Sequence, residues 1–401
     1  MDFGTIELDD QQQKFRFEID ALLDEHLAQR GPERRRFGPH ELVDPVLVRK
    51  LADRGLLMPS WPIEDGGAGL DRIHRFIVDF ELRRRGIDGI GSELVWSAVK
   101  RFGNPDLVEE LKPKVASGEV RFCLGYTEPD GGSDIAAAKT RAVRDGNEWI
   151  INGSKVFTTA AHISQYIFLI TRTDPEKPKH RGLTMFLVPT DWPGVEVSQM
   201  QTIGDEETNV TYYGDVRLPD RYRLGEVNDG WTVLRGPLDS EHDFAQKTDG
   251  LTESMGCWAM ERTPTYAAFD ATVEWARTAI RSDGSHPIDD PTVRLRLGRV
   301  AADIEWAMCS LGPLGRVAGA EVNVRAAAEL CDIIGPEALL PYDADGAVDG
   351  GDVERAHQFA QATITYGGCV EVFRQMIAQH VLGLPRPQYP GSKNLVPARS
   401  L

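Results

Sequence analysis

The hydrophobic period of this chain changes twice along its length, and that limits the folds open to it. Over residues 9–30 the apolar side chains Phe15, Phe17, Ile19, Leu22, Leu23 and Leu27 stand among charges at helical spacing, and residues 41–57, 69–86, 91–102 and 104–117 read the same way. Asp9 and Asp10 suit a helix start, and Pro/Gly punctuation at 59–69 and at Gly103-Asn104-Pro105 separates the helices. From residue 120 to residue 220 the period becomes two. Apolar stretches recur at 120–126, 137–143, 148–151, 164–171, 182–188, 194–199 and 209–217, with turns such as Asp145-Gly146-Asn147 and Asn152-Gly153 between them. From Gly230-Trp231 the helical period returns over 231–281, 291–334 and 351–383, interrupted by a loop-like stretch at 335–351. The expected architecture is α+β: an N-terminal helical domain at 1–118, a middle antiparallel β domain at 119–226, and a C-terminal bundle of four-helix type at 227–401.

Composition removes several function classes. The net charge is −17, which argues against non-specific nucleic-acid or acidic-membrane binding, since both need a basic face. The runs Arg34-Arg35-Arg36 and Arg83-Arg84-Arg85 are read as solvated faces or contacts to an anionic ligand tail. No apolar run approaches the roughly 18 residues of a membrane span, and the first residues lack the basic-then-apolar pattern of a secretion signal. The five cysteines (Cys123, Cys257, Cys309, Cys331, Cys369) are scattered, with no Cys-x-x-Cys pair. No metal site is expected, and reduced thiols in a cytoplasmic protein fit best.

The densest motif is Phe122-Cys-Leu-Gly-Tyr-Thr-Glu-Pro-Asp-Gly-Gly-Ser-Asp134, a strand meeting a glycine-rich turn. It contains Thr127-Glu-Pro-x-x-Gly-Ser-Asp134 and is followed by Asn152-Gly-x-Lys155, Arg181-Gly-Leu-Thr-Met-Phe-Leu-Val-Pro189, Asp215-Val-Arg-Leu-Pro219, and Leu224-Gly-Glu with Gly230-Trp231. Trp61-Pro-Ile-Glu-Asp-Gly-Gly-Ala-Gly69 precedes it, and Ile377-Ala-Gln-His-Val-Leu-Gly-Leu-Pro-Arg386 closes the pattern. In this order the motifs resemble the acyl-CoA dehydrogenase family over nearly the whole chain. The resemblance implies that family's fold, FAD as cofactor and an acyl-CoA thioester as substrate, with α-proton abstraction and β-hydride transfer to the flavin.

The resemblance also implies roles for particular residues. Leu124, Tyr126 and Thr127 would meet the flavin, and Gly132 and Ser133 the pyrophosphate or the coenzyme A tail. Glycine there lets backbone approach a ligand closely. Phe157 stands where the family usually stacks Trp on the flavin, with Thr158 and Thr159 beside it and Thr159 donating to N5. Arg277 and Gly335 mark segments that reach the adenine half of a neighbouring subunit's flavin. The family's commonest base is the Glu of Tyr-Glu-Gly-Thr, but this chain reads Tyr366-Gly-Gly-Cys369. A minority place the Glu on the first bundle helix, about eleven residues after a Gly-Trp pair, and Glu241 falls there. A desolvated Glu gains basicity because burial disfavours its charged form. Asp239 and His242 flank it as expected substrate contacts. Gly367 and Gly368 would offer N–H groups to the thioester oxygen, where charge develops.

Some segments depart from the family. His242 replaces the usual Arg, Thr278-Ala-Ile-Arg281 replaces the Arg-x-x-Phe-Gly segment, and Asp332-Ile-Ile-Gly-Pro336 replaces Gln-x-x-Gly-Gly. The combination resembles actinobacterial dehydrogenases of steroid and sterol side-chain breakdown, which implies a homotetramer or an α2β2 assembly with a related subunit, electron-transferring flavoprotein as acceptor, and a bulky acyl group. Two other readings stay open on the sequence: a non-catalytic partner subunit, and a flavin-dependent monooxygenase on the same fold.

Overall fold

A computed structural model describes residues 8–29, 44–85, 87, 93–204, 207–235, 265–310, 312–341 and 344–385. Five helices come first: α1 (Asp10–Gln29), α2 (Pro45–Ala52), α3 (Arg72–Arg84), α4 (Glu93–Phe102) and α5 (Pro105–Ala116). Two of their starts follow from short sequence signals. Asp44 accepts from the N–H groups of Val46 and Leu47, and Asn104 from those of Asp106 and Leu107, each with Pro at the next position. The side chains satisfy amides that the first turn leaves without partners, and Pro has no amide to lose there.

The middle of the chain forms one eight-stranded sheet: β1 (Phe122–Gly125), β2 (Arg141–Asp145), β3 (Glu148–Lys155), β4 (Tyr166–Arg172), β5 (Leu183–Pro189), β6 (Val195–Gln201), β7 (Glu207–Pro219) and β8 (Arg223–Leu224). The order is β6-β7-β3-β2-β4-β5-β8, with β1 added to β4. Strand β4 is buried on both faces. Ile167 and Leu169 enter one core with Trp149, Ile151, Phe186 and Leu218, while Phe168 and Ile170 enter another with Trp96, Leu107 and Leu111 of α4 and α5. The N-terminal helices therefore cover one face of the sheet, as the continuous apolar run of β4 requires.

Two details differ from the sequence expectation. The sheet is mixed, because β1 pairs parallel to β4, with Gly125 opposite Leu169. Asn152-Gly153 lies inside β3 rather than in a turn, opposite a bulge in β7, where Gly214 and Asp215 face the single Asn152 between the pairs Ile151–Val216 and Gly153–Tyr213. Gly153 has φ +146°, and a Cβ there would lie 2.8 Å from the Thr140 Cα. Strand β3 runs on to Lys155, whose side chain faces inward on the same side as Trp149 and Ile151.

The C-terminal region packs α6 (Thr265–Thr278), α7 (Pro291–Met308), α8 (Gly312–Ile334) and α9 (Asp352–Thr363) around Ala268, Leu297, Ile304, Val322, Leu330 and Ala356, followed by the short α10 (Val370–Met376). The pattern over 291–334 divides into α7 and α8 because Gly312, with φ +53°, and Pro313 interrupt the ladder. The stretch 351–383 is likewise broken at Gly367 (φ +61°) and Gly368 (φ +90°). The bundle meets the sheet at Gly204, where a Cβ would lie 3.0 Å from the Phe359 Cα. No helix among the described residues is long and apolar enough to cross a membrane.

Gly153→Ala should cost about 2–4 kcal/mol, because strain and a backbone clash act together. Gly146→Ala, with φ +63° in the β2–β3 turn and open space around it, should cost only about 1 kcal/mol. Thermal unfolding of both variants checks this; equal losses would remove the close approach of Gly153 to Thr140 as a constraint.

Candidate active site

The chain leaves β1 at Gly125 and turns tightly. Glu128 and Gly131 exchange backbone hydrogen bonds, Glu128 N–H to the Gly131 carbonyl at 3.1 Å and the reverse at 3.0 Å, around Pro129-Asp130. Pro pre-sets the backbone for such a turn. What secures it is the Glu128 carboxylate, which accepts from the Lys139 N–H at 2.7 Å, the Thr140 N–H at 2.8 Å and the Lys155 ammonium at 2.8 Å. Lys155 is fully buried and also donates to the Tyr126 carbonyl at 3.2 Å. Burial pushes the Lys155 pKa down to about 8, against the pull of Glu128. Burial works to raise Glu128, but Lys155 and the Thr140 N–H outweigh it, so its carboxyl sits below the ordinary value.

Beyond β3 the next residues are held against this turn. The Val156 N–H donates to the Thr127 carbonyl at 2.9 Å. Asn209 of β7 clamps Thr158 twice: its carbonyl accepts the Thr158 N–H at 2.9 Å, and its side-chain amide donates to the Thr158 carbonyl at 2.9 Å. On either side, Phe157 (φ +57°) and Ala160 (φ +64°) hold left-handed backbone that residues with a Cβ rarely adopt. Strain of this kind concentrates at ligand clamps. The Phe157 ring is 58% exposed. The Thr159 hydroxyl lies 3.1 Å from that of Thr208. The Thr158 hydroxyl is buried with no partner among the described residues.

The bundle completes the neighbourhood. The Ser133 hydroxyl lies 3.7 Å from the Cys369 thiol, so the β-sheet turn faces the Tyr366–Cys369 turn across a narrow gap. A side chain at Gly368 would meet Phe373 at 2.7 Å, which confines this turn to its present path.

A planar redox cofactor needs an apolar face to stack on and N–H or hydroxyl donors at its rim. The exposed Phe157 ring offers the face. Thr127, the Thr159–Thr208 hydroxyl pair and the open backbone at Gly131 offer the rim; a Cβ at Gly131 would meet nothing within 4 Å, and one at Gly132 would press on Thr127 at 3.2 Å. These residues fit a flavin.

Of the residues expected from sequence, Tyr126, Thr127, Gly132, Ser133, Phe157, Thr158 and Thr159 gather here, and the contact at Cys369 brings Gly367 and Gly368 with them. Leu124 lies on β1, packed against the core shared with α4 and α5. Arg277 is exposed in the last turn of α6, and Gly335 (φ +92°) follows α8. No hydrogen bond or ion pair among the described residues joins either to residues 126–159. Asp332, where the resemblance leads one to expect Gln, pairs with Arg296 on the exposed side of the bundle. Glu241, Asp239 and His242 lie outside the described residues. Gly230 packs so closely on β5 that a Cβ would lie 2.8 Å from the Thr184 Cα, and Trp231 stands edge-on to His180 at 4.6 Å. The Gly-Trp pair is thus anchored where the next helical residues, 230–235, begin. Sequence reading missed Asn209 and the pairing of Glu128 with Lys155. The signal for the pair was a lysine at the inward parity of Trp149 and Ile151.

Comparison with known proteins gives a consistent result. The family model of the acyl-CoA dehydrogenase N-terminal domain matches residues 9–119, and that of the middle domain residues 123–214. The acyl-CoA dehydrogenase IpdE1 of Mycobacterium tuberculosis is 33% identical over 359 residues, covering 84% of this chain and 87% of that protein. Acyl-CoA dehydrogenase FadE26 of the same organism is 30% identical with the same coverage. Among solved structures, the Tcur3481–Tcur3483 steroid ACAD superposes with a TM-score of 0.82 at 30% identity, over 96% of this chain and all of that one. The ChsE4–ChsE5 complex from Mycobacterium tuberculosis gives 0.80 at 28%, again over 96% of this chain and all of the other.

Lys155→Met leaves the Glu128 carboxylate buried without its cation and should cost about 3–5 kcal/mol. Adding Glu128→Gln should recover part of that loss, and FAD titration should show weaker binding in the single variant. The pair also predicts a pH dependence. The folded Glu128 carboxyl titrates below its unfolded counterpart, so its stabilisation is complete above the ordinary glutamate value of 4.5 and disappears as pH falls through the folded value. The stability gap between wild type and Lys155→Met should narrow below that pH in thermal unfolding; a constant gap would contradict the assignment.

Proposed function

We propose a reaction that starts from one fact: the chain belongs to the acyl-CoA dehydrogenase family. Members of this family are FAD-dependent oxidoreductases acting on acyl-CoA. Our reading is α,β-dehydrogenation of a bulky or branched acyl-CoA thioester, of steroid side-chain type, with Glu241 as the α-proton base. When bound, FAD supplies the acceptor for the β-hydride.

The observation that best supports this reading is the approach of Ser133 to Cys369 at 3.7 Å. It faces the turn that suits a flavin with a turn whose two glycines leave backbone amides uncrowded by side chains. In this reading Phe157 stacks on the flavin, while Tyr126, Thr127, Thr158 and Thr159 orient its ring. Gly132 and Ser133 line the path of the coenzyme A arm, with Asp239 and His242 beside it. The Gly367 and Gly368 amides receive the thioester oxygen, and preorganised donors at a developing oxyanion are worth about 3–4 kcal/mol. Polarising the carbonyl acidifies the α-carbon, and Glu241 takes its proton.

The preference for a bulky acyl group rests on Gly367, where the family's usual base would project a side chain. The similar steroid ACAD is in keeping with it. A second subunit in the assembly is in keeping with the paired chains of the Tcur3481–Tcur3483 and ChsE4–ChsE5 structures. The change of the family's Gln to Asp332, engaged by Arg296, favours an altered subunit contact. Electron-transferring flavoprotein is the proposed acceptor.

Anaerobic reduction of the flavin across a panel of acyl-CoA thioesters, with and without a candidate partner subunit, tests the reading. Steroid-type thioesters should bleach the flavin faster than straight-chain ones, and Glu241→Gln should slow bleaching by at least about 10²-fold. Undiminished bleaching in Glu241→Gln would remove that residue as base, and a straight-chain preference would remove the bulky substrate. Flavin that appears only on co-expression, with bleaching insensitive to Glu241, would identify the chain as a non-catalytic subunit.

A further inference from the structure

Helix α8 carries a buried charged side chain, Arg316, that donates to three carbonyls beside the candidate site. Residues 313–320 read Pro-Leu-Gly-Arg-Val-Ala-Gly-Ala, small and apolar apart from Arg316, and Arg316 is fully buried. Burying a guanidinium is costly unless acceptors meet it. Its Nη2 donates to three backbone carbonyls: Thr363 at 2.8 Å, Tyr366 at 2.5 Å and Gly368 at 3.1 Å. That nitrogen has two hydrogens, so at least one is shared between acceptors. The guanidinium carbon lies 6.0 Å from the Tyr366 ring and 5.6 Å from the Phe373 ring, within range of cation–π attraction. One side chain therefore gathers the last residue of α9 and both ends of the Tyr366–Gly368 turn.

This grip sets the direction of the turn's amides. A trans peptide is planar, with its C=O and N–H pointing opposite ways, and no cis peptide occurs among the described residues. The Tyr366 carbonyl faces Arg316, so the Gly367 N–H faces away from it. The Gly368 carbonyl faces Arg316, so the Cys369 N–H faces away as well. Among the described residues no oxygen accepts from the N–H of Gly367, Gly368 or Cys369. Cys369 meets Ser133 across the gap described above. A cation held on the carbonyl oxygens also withdraws electron density from the same peptide groups and strengthens their N–H donors.

We propose that Arg316 is a positioning residue for the thioester carbonyl: its hold on the Tyr366 and Gly368 carbonyls turns the backbone N–H groups of this turn outward as preorganised donors. The inference rests on the acyl-CoA reading above and deepens it, since Arg316 touches neither substrate nor flavin.

Two ligands separate positioning from general support. One is an α,β-unsaturated steroid-carboxyl-CoA thioester; the other is the matching steroidal S-alkyl-CoA thioether, which has no carbonyl for the turn to bind. Both are titrated into the flavin-loaded protein, with its partner subunit if one is required. Arg316→Met should weaken the thioester about tenfold and the thioether less than about twofold. Arg316→Lys keeps the charge but loses the planar fork, and should weaken the thioester about threefold with little effect on the thioether. If Arg316→Met does not fold, the Lys variant decides alone. Equal weakening of the two ligands, or unchanged thioester affinity, overturns the positioning role. A wild-type protein that binds neither ligand removes the acyl-CoA reading and this inference together, whereas one that binds both while the variants fail to discriminate removes the inference alone.

Discussion

The buried pair of Lys155 and Glu128 joins two segments that neither strand pairing nor packing would bring into register unaided. β1 ends at Gly125 and β3 at Lys155, and these strands are not neighbours in the sheet. The Lys155 ammonium crosses between them to reach both Glu128 and the Tyr126 carbonyl. Once that bond is made, the Glu128 carboxylate is free to take two more amides at 139 and 140, and the Val156 N–H falls on the Thr127 carbonyl. A surface pair would contribute little. Here both charges are withdrawn from water and every other arrangement leaves one of them unmatched, so the pair acts chiefly as a device for conformational uniqueness.

The same arrangement recurs on the bundle side. Arg316 and Lys155 are both completely buried, and each donates to backbone carbonyls, three for Arg316 and one for Lys155, behind a segment that faces the gap between sheet and bundle. Since a peptide's N–H points opposite its carbonyl, a cation behind the backbone presents donors in front of it. Two walls are thus built from main chain, with Phe157 as the principal exposed aromatic beside them. Main-chain walls suit a site that must accept a planar cofactor and a thioester, because both are recognised mainly through carbonyls and ring nitrogens. Glycines at 131, 132, 367 and 368 keep those walls free of side chains.

Much of this was legible in the residues. The double change of period separated helices from sheet, because amphipathic spacing is local and survives without tertiary information. The Thr-Glu-Pro turn, Phe157-Thr158-Thr159 and the paired glycines were visible as motifs. What they do to one another was not. Alternation along β3 puts Lys155 on the inward side with Trp149 and Ile151, but nothing local says that it meets Glu128 there. Nor does local pattern reveal that Asn209, 51 residues beyond Thr158, clamps it, or that Arg316 reaches 52 residues on to Gly368. These are long-range polar contacts, and the sequence carries at most a trace of them, such as the lone Arg316 in a small-residue stretch. The parallel pairing of β1 with β4 escaped for the same reason, because period-two patterning does not encode strand direction.

A structure of the protein with FAD and a non-reactive α,β-unsaturated acyl-CoA thioester, determined in its native assembly, would decide whether the two walls form one site. The isoalloxazine ring should lie on Phe157 with Thr159 at its rim, and the acyl group should pass between it and the Gly367–Gly368 turn, with the coenzyme A arm leaving past Ser133. A flavin seated away from Phe157, or an acyl chain that bypasses Gly367, would contradict the account.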